Sequence, residues 1–122
     1  MLAGIIYGSW AAYSNSDHGI HAAKLAGLGQ GLYALFSTYI VTLTTYYCFH
    51  KTKQNSLIKQ SLTCRLTLSF FISFLVMLSI PIIIHSLLLT PDILEAITPG
   101  LIWGSGYVMF LLWKEEKATQ ID

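Results

Sequence analysis

The chemically varied side chains of this 122-residue chain gather in two short connections. Asn15, Asp17, His18 and His21 occupy the first; Asp92 and Glu95 occupy the second, with His85 a turn or so ahead of it. His18 and His21 stand three apart and share a helix face. Joined by a carboxylate from the other connection, they would offer transition-metal ligation or a proton relay. The competing reading is that all of these are solvated caps and interfacial groups, which need no function. Asp92 and Glu95 follow Pro91 at a helix start, and two carboxylates outweigh a helix end of about half a unit charge. The ligand expected at this end is therefore cationic or protonatable.

His85 and Gln30 are the polar exceptions inside long apolar runs. An ionisable residue within a spanning segment is a functional-site candidate by default; otherwise His85 is an interfacial histidine bonding a carbonyl loosened by Pro81. Gln30 is either interhelical glue or part of a polar cavity. No H-E-x-x-H, G-x-S-x-G, P-loop or dinucleotide fingerprint is present, so no catalytic residue, resident metal or cofactor is assigned. The two cysteines, Cys48 and Cys64, have neither zinc nor redox spacing and read as packing residues.

The elements that must position these groups are membrane helices. Leu25–Phe49 is a 25-residue run without a charged side chain, and Leu66–Thr90 is a second run holding only His85. Each exceeds the roughly 20 apolar residues that cross a bilayer as a helix. A composition 54% hydrophobic and 11% charged agrees. A soluble chain of this length could not bury two such helices all round. Met1–Tyr13 is apolar, but no Lys or Arg precedes it, so it reads as a retained short helix rather than a secretory signal. Pro99-Gly100 is expected to interrupt the last helix and leave a short final segment, Leu101–Trp113.

The expected fold is thus all-α: a single membrane domain over 1–122, a compact bundle of four transmembrane helices, two long and two short. Their approximate ranges are 1–13, 17–49, 66–90 and 91–113, with a basic cytoplasmic loop over 50–65. Placing that loop in the cytoplasm puts six of the seven Lys and Arg residues on one side, with N-in and C-in termini. In lipid, small residues mark where helix backbones meet. Gly4 and Gly8, Gly27 and Gly31, and Gly100 and Gly104 each stand four apart, with Gln30 beside the middle pair.

The number of short spans is similar to that of small multidrug-resistance transporters, yet Met1–Tyr13 holds no acid. Phe36-Ser37-Thr38 looks like a fragment of the dimeric fluoride-channel signature without its companion motifs. The sequence is assigned to no family. The expected function is an oligomeric carrier, channel-type or lipid-handling module of a bacterial inner membrane, with a polar site on the non-cytoplasmic face. The alternatives are a non-catalytic accessory subunit of a larger membrane complex and a small intramembrane enzyme. The partners expected are membrane lipids and either further copies of the chain or a larger membrane protein. No basic surface points to nucleic acid.

Overall fold

A computed structural model describes residues 2–54 and 61–121. Its four α-helices are α1 (Leu2–Ser14), α2 (Ile20–Gln54), α3 (Leu62–Leu87) and α4 (Ile93–Ile121). A single 3₁₀ turn, Ser16–His18, joins α1 to α2, and among the described residues there is no strand. α3 and the 93–119 part of α4 are long and apolar enough to cross a membrane. α2, whose charge-free core made it the expected principal span, is not one of those two. Its glycines, threonines, tyrosines and Gln30 dilute the apolar run.

Three helices are long and one is short, rather than two and two. The difference lies in α4, which continues through Pro99 and Gly100 for 29 residues. Proline lacks an N–H, so inside a helix it strips the carbonyl four residues earlier of its donor. For Pro99 that carbonyl belongs to Glu95, and the Trp10 indole Nε1 of α1 donates to it at 2.8 Å. The same arrangement recurs in α3. Pro81 frees the Met77 carbonyl, and the Tyr33 hydroxyl of α2 donates to it at 3.2 Å. Both helices run on because a neighbouring aromatic supplies the missing donor.

The boundaries shift for equally local reasons. Gly19, at φ 95°, turns the chain so that α2 begins at Ile20. Lys51 and Lys53 favour the negative end of the helix dipole and accompany α2 to Gln54. Ser61 caps α3, its side chain accepting from the Cys64 N–H at 3.3 Å, which starts the helix four residues before the expected Leu66. The expected basic loop over 50–65 is thus helical at both ends, and its middle, 55–60, lies outside the described residues. α3 stops at Leu87 because Leu89 takes a left-handed φ of 52°. The Leu89 and Thr90 amides then close on the Ser86 and His85 carbonyls at 3.2 and 2.9 Å.

α1 lies along one half of α2 only. Its glycines let the backbones touch: a Cβ on Gly8 would stand 2.8 Å from the Gly27 carbonyl oxygen, and one on Gly4 would stand 3.0 Å from that of Gly31. Gly4 also faces Leu35, near the middle of α2. The bundle buries a polar stripe beside its apolar core and is apolar outside. α3 buries Arg65, Ser69, Ser73, Met77, Pro81 and His85, every fourth residue, and exposes Phe71, Leu75, Ile83 and Leu87. Facing that stripe, Thr45 of α2 donates to the Ser73 hydroxyl at 3.0 Å. Apolar packing on Val41, Phe49, Met77, Val108 and Leu112 fills the rest of this half.

Two consequences can be measured by thermal or denaturant unfolding in detergent. Tyr33→Phe leaves the Met77 carbonyl buried without a donor and is expected to cost about 1–3 kcal/mol. In a Pro81→Ala background the helix supplies its own N–H, so the same change should cost well under half as much. Gly8→Ala is expected to destabilise by about 1–3 kcal/mol through overpacking, whereas Gly106→Ala, with nothing within 4 Å of the new Cβ, should not destabilise.

Candidate functional site

The connections expected to form a ligand site are largely occupied by tying the helices together. Asn15 is fully buried. Its Nδ2 donates to the Ala11 carbonyl at 3.0 Å and its Oδ1 accepts from the Asp92 N–H at 2.9 Å. His18 Nε2 meets Asp92 Oδ2 at 2.6 Å. Asp17, His21 and Glu95 are exposed and make no side-chain hydrogen bond or ion pair among the described residues; the Glu95 contribution is its backbone carbonyl. No three His, Cys, Asp or Glu side chains converge as metal ligands among the described residues.

His85 and Gln30, by contrast, meet in the interior. Both are essentially fully buried, at 0% and 1% exposed. His85 Nε2 lies 2.9 Å from Gln30 Oε1, and Nδ1 lies 3.0 Å from Thr90 Oγ1. One neutral tautomer satisfies both ring nitrogens: Thr90 donates to Nδ1, and Nε2–H donates to Gln30 Oε1. The left-handed turn at Leu89 is what folds Thr90 back over the imidazole. That leaves the Gln30 Nε2 amino group without a protein partner. It projects toward Gly100 of α4, where an added Cβ would stand 3.3 Å from it.

The amino group faces a cleft of about 260 Å³ between α2 and α4. Met77 and Pro81 of α3 line its floor, and Ala3 and Tyr7, from the first turns of α1, border its upper end. Ser37 and Thr38 of α2 and Trp103 and Tyr107 of α4 flank it. Tyr107 also ties the two walls: Thr42 Oγ1 donates to the Thr38 carbonyl at 2.6 Å and accepts from the Tyr107 hydroxyl at 2.8 Å. No Asp, Glu, Lys or Arg lines the cleft.

The expected packing glycines divide between two tasks. Gly4, Gly8, Gly27 and Gly31 bring α1 and α2 backbones together, while Gly100 and Gly104 make room for side chains, Gln30 and Met77 respectively. Sequence reasoning did not pick out Thr90, Tyr33, Tyr107 or Trp103. A usable signal existed for Tyr33, since a proline inside an apolar helix announces a free carbonyl that some neighbour must satisfy. At the opposite end, His50 Nε2 pairs with Glu115 Oε2 at 3.2 Å. There Arg65 is buried with its guanidinium carbon 4.8 Å from the Phe49 ring centre.

No protein-family model matches the chain, and no curated protein or solved structure matches it either. The site is therefore read from its own geometry.

Because His85 and Gln30 satisfy each other, removing one strands the other. Gln30→Leu and His85→Leu are each expected to destabilise by about 1–3 kcal/mol. The double variant should cost less than the sum of the two, as a double-mutant cycle of unfolding free energies would read. Additive losses would mean that the pair is not coupled.

Proposed function

We propose that the chain is a small integral membrane protein that binds a membrane-soluble ligand in the cleft between α2 and α4, a lipid-handling or carrier-type module. The observation that carries this reading is the combination of an apolar exterior with a buried, uncharged, polar-tipped cleft open on one side of the bundle. Exposed Trp103, Phe110, Trp113, Leu28, Leu32 and Phe36 are suited to lipid and poorly suited to water. The core helix of a soluble protein is mostly buried, whereas only about a fifth of the apolar window in α3 and in α4 is buried.

The orientation follows from charge. Lys51 and Lys53 of α2 share an end of the bundle with Lys114 and Lys117 of α4, joined there by the His50–Glu115 pair. Basic residues at helix ends are retained in the cytoplasm, which makes that end cytoplasmic and the Asn15–Asp92 end external. α2, α3 and α4 then cross the bilayer, and α1 dips from the external side to mid-depth, opposite Leu35. This reading moves the ligand site from the external connections to the interior. The glycine pairs meet partners within one chain, and oligomeric assembly is not needed to form the cleft.

Cysteine accessibility tests the arrangement. In a Cys48→Ala, Cys64→Ser background, Lys53→Cys and Glu95→Cys are expected to react with an impermeant maleimide from opposite sides of sealed vesicles. Labelling of both from one side would overturn the spanning reading.

A further inference from the structure

We infer that the cleft recognises an uncharged lipid headed by a carbonyl group, with the Gln30 amide as donor and Gly100 as the gap that admits the carbonyl oxygen. This rests on the proposed cleft-binding function and specifies its ligand. Gln30 Nε2 belongs to a side chain 1% exposed, and its amide oxygen is already held by His85. Its two N–H groups therefore have donor capacity and no protein acceptor, and they face the cleft beside a residue with no side chain. A donor that faces the cleft and has no acceptor among the described residues favours a ligand that brings one.

The rest of the lining sets the ligand's charge and shape. Without a charged side chain in the cleft, an ionised phosphate, carboxylate or ammonium would lose its hydration for no partner. An uncharged carbonyl loses little. Tyr33, Trp103 and Tyr107 bring ring surfaces to the cleft, with Pro81, Ile97 and Leu101 as apolar neighbours. A volume of about 260 Å³ lies below the roughly 300–1,000 Å³ of pockets that enclose a drug-sized ligand. It admits a ring or ester head and leaves the tail outside, along the exposed apolar face. Two lipid types bring that chemistry: a quinone ring, and the ester head of a neutral acylglycerol.

The test is native mass spectrometry and equilibrium binding in phosphatidylcholine nanodiscs. The probes are a short-chain alkyl benzoquinone, the alkylbenzene lacking both carbonyls, and a diacylglycerol. At least one carbonyl probe is expected to bind about tenfold or more tightly than the alkylbenzene. Which carbonyl probe wins identifies the source. Gly100→Ala places a methyl over the Gln30 amino group while leaving the His85 bond intact. It also replaces glycine with a better helix former, so it should fold and should erase the carbonyl preference. Gln30→Leu should do the same. Ser37→Phe fills the cleft and should remove binding of every probe.

Equal binding of the carbonyl and hydrocarbon probes, lost in Ser37→Phe but unchanged in Gly100→Ala, would overturn carbonyl recognition while leaving the cleft reading standing. Failure of all probes to bind, or binding unaffected by Ser37→Phe, would overturn both.

Discussion

A polar group inside an apolar bundle must find its partner within the protein, and most of this architecture can be read as the satisfaction of that requirement. Pro81 and Pro99 each create a carbonyl with no helical donor. Tyr33 and Trp10 reach across from other helices to supply one. These bonds pin α3 to α2 and α4 to α1 at fixed heights, because a carbonyl freed by proline occurs at only one level of its helix. The Thr45–Ser73 and Gln30–His85 contacts add two more levels along the α2–α3 seam. Apolar packing alone would leave the register loose, since it is non-directional.

This requirement is left open at the cleft and at Arg65. α1 closes against α2 through glycine backbones at Gly4 and Gly8, and its Ala3 and Tyr7 border the cleft. The cleft's polar wall residues are quieted internally: Ser37 donates to the Ala34 carbonyl at 3.1 Å, and Thr42 and Tyr107 bond each other. The Gln30 amino group faces the cleft beside Gly100. At the other end of the bundle, Arg65 Nε and Nη2 are buried without a hydrogen-bond partner among the described residues, and the guanidinium lies over the Phe49 ring instead.

The amount of this legible in the sequence depended on the range of the interaction. The helical class, the importance of His85 and Gln30, and the close approach of Gly4 and Gly8 to Gly27 and Gly31 all follow from spacing and from polar residues in apolar runs. The continuity of α4 did not, because the donor that rescues Pro99 is 85 residues away in Trp10. Local rules see a proline and a glycine in succession and end the helix there. The start of α3 differs for a local reason: the Ser61 cap places Arg65 inside the helix, whereas the apolar run alone begins at Leu66. The titratable residues at the helix ends were legible as a cluster, but not that Asn15 and His18 would both bond Asp92, because that contact joins residues more than 70 positions apart.

The α3–α4 connection and the interior His85–Gln30 pair are nonetheless one structure. The left-handed Leu89 turn that carries the chain from α3 to α4 positions Thr90, which holds the imidazole, and two residues later delivers Asp92 to Asn15 and His18. The imidazole in turn fixes which face of the Gln30 amide looks into the cleft. Its two nitrogens differ in role, and exchanging them would reverse every donor in the chain from Thr90 to Gln30. The orientation drawn here presents N–H to the cleft; the reversed one would present the amide oxygen. Under the proposed cleft-binding function, a ligand with a carbonyl would select the first and one with a hydroxyl donor the second, so the polarity preferred in the cleft would follow from the tautomer of a histidine that does not line it.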